Sequence, residues 1–463
     1  MNRVLQKYQL VIFVNLLLLF FISSCTQDEF IEIEETPDLI LGPDIALQWN
    51  KFLLEIERFT PGYRPTVSSR TMGYIGITAY EAIIPGRSDH FRSIASQLPG
   101  LSIPEYTKGV EYNWALVLNS AYERAFQHFF ETAPTEQQAK MISLSNSIYD
   151  KIGISDPADV RQRSISHGKN IANAVFQWST EDEFGHEGYL NNTDPNYLPP
   201  SGTGLWQPTY PDYTPALTPY WGKVRTFVAT EDDKCDPPLE YSEDPNSQLY
   251  AQALETRNIV NRIKQGFNQE DHWIAEFWSD DCPIVTFTPA GRWIAIGNQV
   301  VEDHIDNVEK ALYLYAKLGI ALSDAGIRSW AEKYRFNYLR PIDYIRNVMN
   351  DDDWNSVMCP DGAHHFTPPF PTYPSGHATF GGAAATILTN IMGSNFAMTD
   401  RCHEGRQDFN GTPRSYNSFD EMCEENAYSR IPMGVHFRMD SEAGTKLGKQ
   451  IGRKVNSEID WIK

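Results

Sequence analysis

Apolar residues recur at three- and four-residue intervals along most of the chain. Trp114, Leu118, Ala121, Ala125 and Phe129 fall four, three, four and four apart, which is one face of a helix. Similar stretches run near 45–58, 66–83, 135–151, 157–178, 244–265, 302–337, 376–392 and 441–459. Period-two runs bounded by turn residues are scarce, so the pattern predicts an all-α fold packed as helical bundles. Between about 184 and 222 the periodicity gives way to Tyr189, Asn191, Asn192, Pro199, Pro200, Gly202, Gly204, Trp206 and Pro208. Proline and glycine at this density predict a long, ordered but irregular connection. Its aromatics pin the connection to the core or form a glycan-binding platform, and pinning is the commoner use of such residues.

At 463 residues and 41% hydrophobic content, the chain can bury one large core or two ordinary ones. The first residues divide differently from the rest. A basic start through Lys7, an apolar run from Leu10 to Ile22 and the small residues Ser23 and Ser24 read as a secretory signal over 1–24. The ending Ile22-Ser23-Ser24-Cys25 resembles a bacterial lipobox, which makes Cys25 the expected lipidation site. Residues 25–44 then form an acidic tether like that of exported lipoproteins, followed by an N-terminal helical part, 45–225, and a catalytic helical part, 226–463, expected to pack as one unit. Localisation is therefore expected at the outer membrane, on its periplasmic or its cell-surface side, with membrane contact only through the lipid anchor. After the N-terminus no run of twenty or so apolar residues occurs.

A formal charge of −21 argues against nucleic acid as a partner, because a polyanion binder needs a net basic surface. It leaves room for a small anion, since a local cluster of cations is screened from the surface field beyond about 8 Å. Setting Cys25 aside leaves Cys235, Cys282, Cys359, Cys402 and Cys423, none in a metal-ligand spacing. Five cysteines in an oxidising compartment allow at most two disulfides. The spacing does not define the pairing; Cys402 and Cys423, flanking one polar loop, are the first pair to test.

Three C-terminal segments carry candidate chemistry. In the first, Lys333 and Arg340 lie seven residues apart, almost two helical turns, so both cations are expected on one helix face, with Pro341 ending the helix at Arg340. In the second, Pro374-Ser375-Gly376-His377 offers an N-cap serine, a glycine whose amide can approach a ligand, and a histidine in the first turn of a helix backed by small residues. A helix N-terminus with unpaired N–H groups is an anion seat. In the third, Ser429-Arg430 leads to His436 and Asp440, four apart, so on one helix the carboxylate can hold Nδ1 of the imidazole and leave Nε2 as a lone-pair donor. That helix is expected to start near Ser429 or Arg430, placing Arg430 at its entrance.

Lysine, six residues and Arg-Pro; Pro-Ser-Gly-His; Ser-Arg, five residues, His, three residues and Asp: this order resembles the three-part signature of the vanadium haloperoxidase and type 2 phosphatidic acid phosphatase superfamily. Wider similarity, through Ala311–Arg346, Phe366–Ala383 and Ser429–Asp440, and more faintly through Trp206–Trp221 and Ile274–Trp278, favours the soluble chloroperoxidase-like branch over roughly 66–455. The resemblance implies a vanadate cofactor whose equatorial oxygens meet Lys333, Arg340, Arg430, Ser375 and the Gly376 amide. It implies His436 as the metal ligand, His377 as acid–base residue, and Asp440 as the group orienting His436. Asp281 is implied as a partner of Arg430, and Trp330 and Phe370 as the halide side; algal bromoperoxidases have histidine where Phe370 stands. His364 and His365 lie outside the signature and are read as loop residues. The implied reaction is halide oxidation by hydrogen peroxide. An acid phosphatase hydrolysing a phosphate ester through a phosphohistidine is the main alternative, because vanadate and the phosphoryl-transfer transition state share charge and geometry. A surface ligand-binding lipoprotein with a degenerate site is the other.

Overall fold

The computed structural model describes residues 41–152, 155–280, 282, 284–359 and 365–463. Cys25, Asp281 and His364, the signal segment and nearly all of the tether therefore lie outside the described residues. Thirteen α-helices account for nearly all regular structure in the described residues, and Met398–Asp400 pairs antiparallel with Arg414–Tyr416. In chain order the helices are α1 Asp44–Phe59, α2 Pro65–Arg87, α3 Trp114–Phe129, α4 Thr135–Ile152, α5 Ala158–Thr180, α6 Gln248–Lys264 and α7 Gln269–Phe277. They continue as α8 Pro289–His304, α9 Val308–Phe336, α10 Pro341–Asn347, α11 Gly376–Met392, α12 Phe419–Tyr428 and α13 Arg438–Glu458. The fold is all-α, as the periodicity predicts, and each stretch of helical periodicity corresponds to a helix. The pattern misses α7, α8, α10 and α12. Two of these, α7 and α10, have nine and seven residues, too few turns to display a periodicity.

Residues Leu41–Lys463 form one compact unit. Its centre is α9, 29 residues long, with α2 packed along one side and α11 along another. Small residues set these crossings. A Cβ on Gly319 of α9 would meet Met72 O of α2 at 2.5 Å. Between α11 and α13 a seam repeats every four residues: Cβ atoms on Gly444, Gly448 and Gly452 would lie 2.5, 2.1 and 2.7 Å from the carbonyl oxygens of Ser375, Thr379 and Ala383. The two backbones thus touch without intervening side chains, and the start of α11 is fixed against the start of α13.

The irregular connection is tied to this core. Trp206 and Trp221 are buried, Trp206 N donates to Asn337 O at 2.7 Å, and Leu217 O accepts from Tyr334 Oη at 2.6 Å. Asp324, fully buried on α9, accepts from the amides of Phe227, Val228 and Ala229 at 2.7–2.8 Å. One carboxylate satisfies three successive loop N–H groups that would otherwise be buried unpaired. Both features belong to pinning; the glycan-platform reading gains no support from Trp206 or Trp221.

Cys282 and Cys359 form a disulfide, whereas Cys235, Cys402 and Cys423 are thiols. The expectation for Cys402 and Cys423 is therefore overturned. Cys402 follows a β-strand and lies 3.2 Å from Gln299 Nε2, while Cys423 is buried on α12, so flanking one loop does not bring them together.

Candidate active site

Lys333, Arg340, Ser375, His377, Arg430, His436 and Asp440 are all buried, although they come from three separate stretches of backbone. The two cations of the first segment do not share a helix. Asn337 takes a left-handed conformation, φ 47°, and caps α9 at Phe336. Asparagine tolerates that region better than most residues, so the helix stops before the proline acts. Pro341 instead opens α10, with Arg340 extended in front of it as N-cap. Lys333 and Arg340 nevertheless converge, Nζ and Cζ lying 5.0 and 4.9 Å from the centre of the Phe370 ring.

The third segment also departs from the single helix expected. After α12, Arg430 lies in a tight turn whose carbonyl accepts from both Val435 N and His436 N, at 3.2 and 3.3 Å. Gly434 has φ 89°, a conformation costly for any residue with a Cβ, and together with Pro432 it prevents a helix from running through. The helix begins only at Arg438. The pairing of His436 with Asp440 survives because Asp440 occupies the first turn of α13 and reaches back. Its Oδ2 lies 3.0 Å from His436 Nδ1, accepts from Phe437 N at 3.0 Å, and accepts from Thr372 Oγ1 at 2.5 Å.

Ser375 caps α11 as expected, accepting from Ala378 N at 3.4 Å, which leaves its hydroxyl hydrogen available for donation. Its own amide donates to Asp440 O at 2.9 Å, joining the second and third segments through backbone. Arg340 Nη1 donates to Val435 O at 2.9 Å and lies 3.3 Å from His436 Nε2, and its Nε holds Phe370 O at 2.9 Å. Arg430 Nη1 donates to Trp278 O at 2.9 Å. Lys333 Nζ donates to the carbonyls of Pro371, Thr372 and Pro374. These bonds tie the loop in front of α11 to a buried ammonium.

A small, partly open cavity is lined by Gly376, His377, Arg430 and His436 on its polar side and by Trp330, Phe370 and Phe380 on its apolar side. The Trp330 and Phe370 rings pack 4.8 Å apart. Pro65, Pro289 and Gly376 also line it, each the first residue of its helix, so α2, α8 and α11 all point their positive ends at one small volume. A larger, more open groove beside Tyr428 and Lys449 includes none of the signature residues.

The positive field acts on both histidines. Burial, followed by Arg430, Lys333, Arg340 and Arg292, holds His377 well below the usual imidazole value. For His436 the order is burial, Arg340, Lys333, Arg430 and His377, with the same result. Both are neutral near pH 7. Asp440 moves upward, because its burial outweighs its hydrogen bonds and nearby cations.

Arg292 is missed by the sequence reading. It is fully buried on α8, lies 3.4 Å from Asp280 and 2.8 Å from Asp400, and is flanked by the rings of Phe277 and Trp278 at 4.4 and 4.3 Å. The available signal was a lone arginine amid Ala290, Gly291, Trp293 and Ile294. Thr372 was also missed, and nothing in its spacing marks it. His365 is half-buried, and its Nδ1 lies 2.7 Å from Met358 O, in keeping with a loop role.

A mostly helical unit with a buried cationic pocket, a neutral histidine held by a carboxylate and a second neutral histidine lining the same cavity defines an enzyme of the oxyanion-binding class. The family model described as the VCPO second helical-bundle domain matches residues 313–460. The structure is similar to that of a bacterial vanadium-dependent iodoperoxidase, with TM-score 0.79 and 30% identity over 93% of this chain and 99% of that one. In sequence the chain is 25% identical to the vanadium chloroperoxidase of Curvularia inaequalis, over 87% of this chain and 80% of that protein. It also shares the fold of a bacterial vanadium-dependent chloroperoxidase, TM-score 0.63 at 16% identity over 88% of this chain and 97% of that one. The chain belongs to the vanadium-dependent haloperoxidase family.

Membership implies a vanadate cofactor, and the residues present fit one. His377 Nε2 is buried without a hydrogen-bond partner among the described residues. A Cβ at Gly376 would lie 3.3 Å from the Trp330 ring, a tight contact at the cavity wall that glycine avoids.

Proposed function

We propose that the protein oxidises a halide with hydrogen peroxide at vanadate held by Nε2 of His436, with iodide the halide most readily taken. The carrying observation is the geometry at His436: Nδ1 is engaged by Asp440 at 3.0 Å, so Nε2 faces the cationic cavity with its lone pair. The likeness to an iodoperoxidase over nearly the whole of both chains supports iodide. Vanadate, when bound, supplies a Lewis-acidic centre that activates peroxide. Lys333, Arg340, Arg430, Ser375 and the Gly376 amide would hold the anion's oxygens. His377 Nε2, neutral because of burial and the surrounding cations, takes the proton that hydrogen peroxide gives up and returns one to the departing oxygen. Trp330, Phe370 and Phe380 keep bulk water from the halide side. The net reaction is halide, hydrogen peroxide and a proton giving hypohalous acid and water.

A side-by-side assay tests this. With orthovanadate, the protein should oxidise iodide at the expense of peroxide, with bromide and chloride slower; without vanadate it should be inactive. Hydrolysis of p-nitrophenyl phosphate inhibited by vanadate, with no halide oxidation, would overturn the reading in favour of the phosphatase and make His436 the nucleophile.

Export with lipidation at Cys25 is part of the same proposal. The buried disulfide supports it, since such bonds persist in oxidising compartments. Mass spectrometry of the mature N-terminus should find an acylated Cys25; a different, unmodified first residue refutes it.

A further inference from the structure

Thr372 lies in the Phe370-Pro371-Thr372-Tyr373-Pro374 loop and is fully buried. Its backbone is fixed from both sides: the amide donates to Tyr338 O at 3.0 Å, and the carbonyl accepts from Lys333 Nζ at 3.0 Å. The side chain therefore has little freedom, and its hydroxyl falls between the two members of the histidine–carboxylate pair. Oγ1 is 2.5 Å from Asp440 Oδ2 and 3.0 Å from His436 Nδ1.

A hydroxyl carries one hydrogen and two lone pairs. The short contact to a carboxylate oxygen, which can only accept, directs that hydrogen to Asp440. A lone pair of Oγ1 must then face His436 Nδ1, and Asp440 Oδ2 faces the same nitrogen at 3.0 Å. Nδ1 consequently meets two acceptors. The tautomer with hydrogen on Nδ1 gives both a donor. The opposite tautomer sets a nitrogen lone pair against a carboxylate oxygen, and Thr372 could relieve this only by withdrawing its hydrogen from buried Asp440.

We propose that Thr372 is a positioning residue that, as a second acceptor beside Asp440, strengthens the preference of His436 for the Nδ1–H tautomer and so commits the Nε2 lone pair to the cavity. The consequence for vanadate rests on the reading of His436 as its ligand; the tautomer itself does not. Groups that orient a metal-bound histidine typically alter affinity 10- to 100-fold when removed.

The experiment uses the full protein as wild type, Thr372→Val and Thr372→Ser, with folding checked by circular dichroism. Titration with orthovanadate should show binding weakened 10- to 100-fold in T372V and close to wild type in T372S, which restores the hydroxyl. Nitrogen-15 spectra of histidine-labelled, vanadate-free protein should place the His436 hydrogen on Nδ1 in wild type and T372S and show a measurably larger share of the Nε2–H tautomer in T372V, where Asp440 is the sole acceptor left at Nδ1 of the two described. Equal vanadate affinity in wild type and T372V, or an unchanged tautomer in T372V, overturns the proposal. Wild-type protein that binds no vanadate would overturn the ligand reading alone, while the vanadate-free spectra would still decide the tautomer. If T372V does not fold, T372S decides: a mixed tautomer there, with the hydroxyl present, refutes it.

Discussion

Replacing Cys282 and Cys359 together with alanine removes the bridge between the segment after α7 and the loop before α11. The residues are 77 apart in sequence, and closing a loop of that length restricts the unfolded chain by about 4.5 kcal/mol at 25 °C in the chain-entropy treatment. Folded domains are typically stable by about 5–15 kcal/mol, so the loss should be a large share of the whole. The site should feel it as well. The bridge packs with Met358, Met433 and Val435; Val435 O accepts from Arg340 Nη1, and Met433 O accepts from Val357 N at 3.0 Å. Urea unfolding followed by tryptophan fluorescence should show wild type losing about 2–4.5 kcal/mol on adding a thiol reductant. The double variant should match reduced wild type and ignore reductant, because the other described cysteines are already thiols. Vanadate binding should weaken in parallel. An unfolding midpoint that reduction leaves unchanged would refute the reasoning.

His436→Ala should abolish vanadate binding, whereas His377→Ala should retain binding and lose about 10²–10⁴ in turnover; metal content and peroxidase rate measured on both variants separate the roles. Arg430→Ala and Arg340→Ala should each weaken vanadate binding by about 2–5 kcal/mol, and should raise chiefly His377 and chiefly His436, respectively, since those are the largest charge effects on each; histidine NMR titration and calorimetry check both, and unchanged affinity in both would place the anion elsewhere. Glu57, buried against Thr288 at the start of α8, is pushed up to about 7 mainly by burial. Its folded value exceeds its unfolded one, so its stabilising contribution is complete below pH 4.5 and fades as pH rises through about 7. Between pH 5 and pH 8 the stability of Glu57→Gln relative to wild type should therefore rise by about 2.5 kcal/mol in urea unfolding, and a pH-independent difference would contradict the assignment.

The chemistry of the site was legible because each group sits next to a local marker. Ser375 and Gly376 announce a helix start, and the His436–Asp440 spacing announces a held imidazole. Placing these groups on helices was less reliable. Local spacing cannot register that Asn337 caps α9 early, or that Pro432 and Gly434 hold the chain in a turn until Phe437. The residues that escaped notice act across long separations. Asp324 serves amides 95 to 97 positions away, Thr372 meets a carboxylate 68 away, and the disulfide spans 77. Such pairings are fixed by the packing of α9, α11 and α13, and no window of sequence contains both partners.

The glycine seam between α11 and α13 makes the frame of the site digital. With Gly444, Gly448 and Gly452 each seated on a carbonyl four residues from the next, the two helices mesh only in certain registers. A slide to the next notch is a jump of about 6 Å, four residues of helix rise. Intermediate positions would drive backbone into side chain. Asp440 and Ser375 are therefore indexed to each other, and no gradual drift of one helix along the other can retune the distance between the oriented histidine and the anion seat. Variation in reactivity on this frame has to come from exchanging side chains around a fixed address.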